Sequence, residues 1–419
     1  MITNNLELLN LAQQLTLGNE TEKQQAFNKI IELAQNNQIF PASINNLYLQ
    51  RAQGKIPSDF TVPAINIKGL TFFIARAIFK TALKNNVGAF IFELARSEMS
   101  YTQQSPQEYA GLILAAAIAE KFVGPVFIQG DHFQFKPQIE LANYESELKA
   151  IQELSLTAIK AGFYNIDIDA STLVNYSHKL VSDQQRNNFE ATAKLVNFIR
   201  QHQTANLEIS LGGEIGHIGG RNSTAEELHE FMLGLNQNLN SGLTGLSKIS
   251  IQTGTQHGGQ VLADGSLQTE SLDFDALAKL STLAREYGMG GAVQHGASTL
   301  PKELFSKFPE VGTLEIHLAT EFQNIIFNHP DFPSELKTEM YQWLDKNKAD
   351  QKQPNQTQAQ FYYKNRKYVW APFKAQLCNL SDEIKTSLMQ TIEEKLELLF
   401  QQLNVMNTQE LVKNSIVSI

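Results

Sequence analysis

From Val62 onward, short apolar runs alternate with longer stretches of helical periodicity. The runs are VPAINI (62–67), GAFIFEL (88–94), PVFIQG (125–130), YNIDID (164–169), LEISLG (207–212), KISIQT (248–253), GGAVQH (290–295) and TLEIHL (313–318). Helical patterns such as Gly111–Phe122, Glu145–Ala161 and Phe189–His202 lie between them. Buried strands separated by helices predict an α/β protein with a parallel sheet. Eight strands are the number that closes a (β/α)8 TIM barrel, and positions 60–330 suit the roughly 250 residues of that fold. Strand count does not prove closure, so a doubly wound sheet is the alternative.

The flanks have a different texture. Residues 1–60 form a helical lead-in, with Phe27, Ile30, Ile31 and Ala34 at helical spacing. In the C-terminal extension, 331–419, the pattern predicts a helix over 334–349, a polar, aromatic and basic connection over 350–375, and a long amphipathic helix over 381–405. Ser381 and two acids start that helix, and Ile384, Leu388, Ile392, Leu396, Leu399 and Leu403 form one apolar stripe. The stripe must be covered, either by the barrel at 61–330 or by another subunit.

Composition narrows the class. The chain of 419 residues is 42% hydrophobic and 18% charged, ordinary for a folded protein, and its net charge of −9 argues against a nucleic-acid partner. Cys378 is the only cysteine, so neither an intrachain disulfide nor a cysteine metal cluster is available. The amino terminus lacks the basic and apolar blocks of a secretory signal. The apolar run Gly111–Ala119 is about half of the ~18 residues that a membrane span needs. A cytoplasmic protein with no membrane partner is the expectation.

The chemistry clusters where a barrel would concentrate it. Catalytic side chains of such barrels sit at the carboxyl ends of strands. Of only nine histidines, His132, His257, His295 and His317 lie at or beside four such ends. In VFIQGDHF, Asp131 precedes His132, joining a proton-transfer group to a metal ligand. Three imidazoles leaving one open position describe a catalytic zinc site, and His132, His257 and His295 are candidates for it. Gly258 and Gly296 follow two of them, allowing the backbone to approach a ligand closely. Ser298 and Thr320 follow the last two strands, the usual phosphate position.

Taken in order, GDHF, IDAS, GGEIGHIGG, TGTQHG, QHGAS and IHLATE resemble the class II fructose-bisphosphate and tagatose-bisphosphate aldolases over about 62–330. The resemblance implies a zinc-dependent barrel that cleaves a phosphorylated ketose to dihydroxyacetone phosphate and an aldehyde, working as a homo-oligomer, a dimer or a tetramer. By position, His132, His257 and His295 match zinc ligands, and Glu214 matches a glutamate near the metal. Asp131 matches the acid that exchanges a proton with the C4 hydroxyl. Gly258, Gly296, Ser298 and Thr320 match phosphate-contacting loop residues, Asp169 and Ser171 match a D-G-S stretch, and Asn66 matches an asparagine close to the substrate.

The departures are specific. Members commonly carry a pattern like K-I-N-x-x-T on the eighth strand, where this chain has Glu315, Ile316, His317, Leu318, Ala319 and Thr320. His317 is therefore open to three roles: binding a different hydroxyl pattern, ligating a metal, or packing. After the fifth strand, Arg221 replaces an acid and stands open to binding a second phosphate or to being an exposed charge. Glu226 and Glu227 read as a solvated helix face. Glu93 and Arg96 are candidate pocket residues, because a buried acid and arginine pair or meet a ligand. The competing reading is an aldolase-like barrel without catalysis that serves as a binding or assembly subunit.

Overall fold

A computed structural model of the chain describes residues 5–136, 143–204, 206–216, 221–254, 262–263 and 272–416. Its described strands are β1 (Ile39–Ala42), β2 (Val62–Asn66), β3 (Ile91–Ala95), β4 (Gly124–Gln134), β5 (Asn165–Asp169), β6 (Ser210–Glu214), β7 (Lys248–Ile251), β8 (Ala292–Gln294) and β9 (Glu315–Leu318). Strands β2 to β9 pair in sequence, all parallel, and β9 returns to β2. The eight expected strands therefore close into a barrel, and the doubly wound alternative is excluded. Continuous apolar runs suit strands covered on both faces, by helices outside and side chains inside.

One strand was missed. β1 lies inside the expected helical lead-in and pairs in parallel with the beginning of β4, Ile39 opposite Gly124 through Ala42 opposite Phe127. Four residues interrupted by Pro41 carry too little period-two pattern to register as a strand. Helices Asn5–Leu17, Glu20–Asn36 and Asn45–Ala52 make up most of the remaining lead-in.

The C-terminal stripe is covered by the barrel. On helix Asp382–Gln402, Leu388, Ile392, Leu396 and Leu399 are buried, as is Leu403 just beyond its end. The helix packs on Thr71–Lys84, with Lys80–Glu393 and Lys84–Glu397 ion pairs at 2.8 and 2.9 Å along the contact. Ser381 caps it by accepting the N–H of Ile384 at 3.4 Å. The region expected as a connection instead holds helix Gln358–Asn365, started by a Thr357–Gln360 capping box. Thr357 also donates to the carbonyl of Ala263 at 2.8 Å, so the extension touches the loop that follows β7. Among the described residues no helix is long and apolar enough to cross a membrane.

Leu396 is fully buried in this contact. Leu396→Ala is expected to lower the unfolding free energy in urea by about 2–5 kcal/mol. A loss within experimental error would show that the helix is not anchored on the barrel.

Candidate active site

The site begins with an irregularity in β4. Gly130 pairs with Ile166 of β5 and Phe133 with Ile168, so Asp131 and His132 together oppose the single residue Asp167. This is a β-bulge, which re-aims side chains that would otherwise alternate between faces. His132 takes φ +41°, an uncommon value for a non-glycine residue. Phe133 folds back over Gly130 so closely that a Cβ there would lie 2.5 Å from its ring. The bulge turns two consecutive residues, the acid and the histidine, toward one centre.

Three imidazoles meet at that centre. His132 and His295 have ring centroids 4.3 Å apart, and His295 and His317 are 4.0 Å apart. His132 Nδ1 bonds Asp169 Oδ2 at 2.9 Å and lies 3.2 Å from Glu214 Oε2. Asp169 is in turn held by the N–H and hydroxyl of Ser171, at 3.1 and 2.7 Å, and by Gln134 Nε2 at 2.5 Å. A carboxylate behind a histidine fixes the orientation of its ring. His295 Nε2 is 2.9 Å from Ser250 Oγ. His132, Glu214 and His295 can each offer one donor atom within 4.8 Å of the others. His257 and Gly258 lie outside the described residues.

Under the histidines, the barrel interior is polar where packed aliphatic layers are the norm. Lys248, with no solvent exposure, donates to Gln129 and Glu315, each at 2.6 Å, and lies 2.9 Å from Asp167. Gln129 donates to Glu315 at 2.9 Å and to Glu93 at 3.3 Å, and the hydroxyl of Tyr48 donates to Glu315. His317 Nε2 bonds Glu315 Oε1 at 2.8 Å, while its Nδ1 lies 2.9 Å from Glu93 and 3.2 Å from Asp131.

Burial and neighbours set the charges. Burial, reinforced by Asp169, pushes the Glu214 carboxyl up to about 8. Burial also pushes Glu93 to about 8. Burial opposes the charge of Asp169, but hydrogen bonds from His132, Ser171 and Gln134 outweigh it and hold this carboxyl below its ordinary value. For His132 and His317, burial disfavours the cation, yet surrounding carboxylates raise both well above the usual imidazole value.

The remaining expected residues fall in two groups. Gly296 adopts φ +70° at the end of β8 and opens a short turn, Ala297–Thr299. There Ser298 Oγ accepts the N–H of Glu321 at 3.3 Å, in the first turn of helix Thr320–Asn328, so Gly296, Ser298 and Thr320 share one rim. Asn66, at the end of β2, donates to Glu98 Oε2 at 2.5 Å. Arg221 is instead tied to Glu227 at 2.5 Å and stacks 4.6 Å over the ring of Tyr176. Glu227 is buried rather than solvated, because it completes the Thr224 capping box of helix Ala225–Asn238. Glu93 and Arg96 do not pair with each other: Glu93 meets His317, and Arg96 bonds Glu147 at 2.5 Å. Lys248, Asp167, Gln129 and Glu98 were missed. The lysine in KISIQT was the available signal, since a charge at the head of an otherwise apolar strand needs a buried partner.

Comparison with known proteins follows this geometry. The family model for fructose-bisphosphate aldolase class-II matches residues 48–399. Among solved structures, the YdjI aldolase of Escherichia coli K12 is 14% identical, with a TM-score of 0.51, over 87% of this chain and 98% of that one. A protein described as a probable tagatose 6 phosphate kinase from Sinorhizobium meliloti 1021 is 12% identical, with a TM-score of 0.56, over 85% and 98%. At those identities the likeness concerns the fold alone. No curated protein matches the sequence.

The raised carboxyls make stability depend on pH in the metal-free protein. Glu214 holds its proton to about 8 when folded but only to 4.5 when free, so its stabilisation is complete below 4.5 and lost as pH rises through 8. Glu93 acts in the same direction over the same window. Chelator-treated protein should therefore unfold at lower urea as pH rises from about 5 to 8.5, and Glu214→Gln should flatten the slope. Stability that rises with pH over that range would contradict these protonation states.

Proposed function

The chain belongs to the class-II fructose-bisphosphate aldolase family, and on that premise we propose that it is a zinc-dependent aldolase. It cleaves, or in reverse forms, a phosphorylated ketose such as fructose 1,6-bisphosphate, with dihydroxyacetone phosphate and an aldehyde as the other partners of the equilibrium. The observation that carries this reading is the β4 bulge, which sets the Asp131 carboxylate beside the donor set His132, Glu214 and His295.

That donor set suits a divalent metal. Imidazoles and a carboxylate, with no thiolate among them, are ordinary zinc ligands. Asp169 on Nδ1 of His132 is the kind of outer partner that orients a ligand ring. His257, which follows β7 in sequence, is the proposed third imidazole. A zinc ion held there supplies Lewis-acid stabilisation of negative charge developing on the substrate carbonyl oxygen.

The protein's own groups do the rest. Asp131 takes the proton from the C4 hydroxyl as the C3–C4 bond breaks, so C4 leaves as an aldehyde and the electron pair remains on the ketone half. Protonation at C3 then gives dihydroxyacetone phosphate. The rim formed by Gly296, Ser298 and the start of helix Thr320–Asn328 receives the phosphate, since N–H groups at a helix start favour an anion. Holding the phosphate there positions the reacting carbons over Asp131. The same resemblance assigns Asn66 and Gly258 to the substrate pocket, whereas His317 and Arg221, which depart from the family pattern, are candidates for it by position alone.

Fructose 1,6-bisphosphate and tagatose 1,6-bisphosphate, each with and without a strong chelator, are the substrates to test. Chelator-sensitive release of dihydroxyacetone phosphate is expected from at least one, and its absence from zinc-loaded protein would overturn the reading. Asp131→Ala should keep its zinc while turnover falls by about 10²–10⁴-fold. His295→Ala and His257→Ala should lose both zinc and turnover, and full zinc retention in either would remove that residue from the ligand set.

A further inference from the structure

His317 is 3% exposed, and both of its ring nitrogens face protein carboxylates. Nε2 bonds Glu315 Oε1 at 2.8 Å, and Nδ1 lies 2.9 Å from Glu93 Oε2 and 3.2 Å from Asp131 Oδ1. The ring face lies against His295, at a centroid distance of 4.0 Å. Each nitrogen therefore has a protein carboxylate oxygen within 2.9 Å.

The acid that grips His317 is itself immobilised. Glu315 receives Lys248 at 2.6 Å, Gln129 at 2.9 Å and the hydroxyl of Tyr48, all from buried side chains. Tyr48 belongs to helix Asn45–Ala52, outside the barrel strands. A continuous set of contacts thus runs from that helix through Glu315 and His317 to Asp131. Asp131 sits on a bulge, where the backbone alone constrains a side chain less than a regular ladder does.

We propose that His317 is a positioning residue: braced against Glu93 and Glu315, it sets the place and direction of the Asp131 carboxylate. The proposal rests on the aldolase reading for what Asp131 does, and on geometry alone for the contact. It differs from the three roles, hydroxyl binding, metal ligation and packing, that the sequence left open for His317. A catalytic base held off its line by about 1 Å loses on the order of 10²-fold in rate.

His317→Asn removes the ring and its contact with Glu315. The expected result is a fall in kcat of about 10²-fold with KM changed by less than about threefold, because an interaction made only in the transition state is lost. Zinc content, and the visible spectrum of the cobalt-substituted protein, should match the wild type. A raised KM at unchanged kcat would make His317 a substrate contact, an altered cobalt spectrum would make it a ligand, and unchanged kinetics would make it filler. Each of these overturns the proposal.

Should His317→Asn fail to fold, the double variant with Glu93→Gln replaces the carboxyl that faced Nδ1 with an amide that can bond the new side chain. It should fold and still show the low kcat, and a wild-type kcat there would overturn the proposal. A second readout needs no substrate. In nitrogen-15 spectra of histidine-labelled protein, the His317 signals, identified by their loss in His317→Asn, should move in Asp131→Asn. Unmoved signals would refute the contact. If the wild type cleaves no ketose phosphate, the functional reading fails on that result, while the spectra decide the contact separately.

Discussion

A lysine ammonium without solvent exposure lies at the bottom of the site, and the acids above it are tolerable because it is there. Taking an ion out of water costs several kcal/mol, which only close and well-shared partners recover. Lys248 has such partners in Gln129, Glu315 and Asp167, all within 2.9 Å. Glu315 then holds His317, and His317 meets Asp131 and Glu93. Four carboxyl groups, those of Glu93, Asp131, Asp167 and Glu315, are thereby packed into a barrel interior with two cationic side chains between them. Protonation reduces the excess of negative charge, since burial pushes the Glu93 carboxyl up to about 8.

The second constraint is conformational. A non-glycine residue at φ +41° stores strain of about 1–3 kcal/mol and persists only where its surroundings over-determine it. Around His132 those surroundings are the bulge, the ring of Phe133 over Gly130, and the Asp169 carboxylate bonded to Nδ1. Strain here turns two adjacent side chains, the proposed base and the proposed metal ligand, toward one centre. Thr357 of the C-terminal extension is bonded to Ala263, which lies between β7 and β8 in sequence.

Much of this was legible beforehand. Eight apolar runs foretold the eight barrel strands, because strands buried on both faces are apolar throughout their length. Histidines at strand ends foretold a cluster of imidazoles, since the rings of His132, His295 and His317 do lie together. The stripe on Asp382–Gln402 foretold its burial, although only packing could show that the barrel covers it. β1 was not legible, because its partner is the early part of β4 and four residues carry no period. Of the interior ladder only Lys248 gave a signal; its partners Gln129 and Asp167 lie far from it in sequence and acquire meaning only when the barrel closes. Glu227 looked solvated because helical spacing does not reveal which acid turns back to cap its own helix. His257 and Gly258, beyond the described residues, remain as the sequence placed them.

The β4 bulge and the end of β8 together present the proposed metal site. X-ray absorption at the zinc edge of stoichiometrically loaded protein tests it most directly. The expected result is one tightly held zinc per chain in a shell of nitrogen and oxygen donors, with the multiple-scattering signature of imidazole and no sulfur, and loss of that zinc in His295→Ala. Zinc that binds only loosely, or zinc retained in full by His295→Ala, would contradict it.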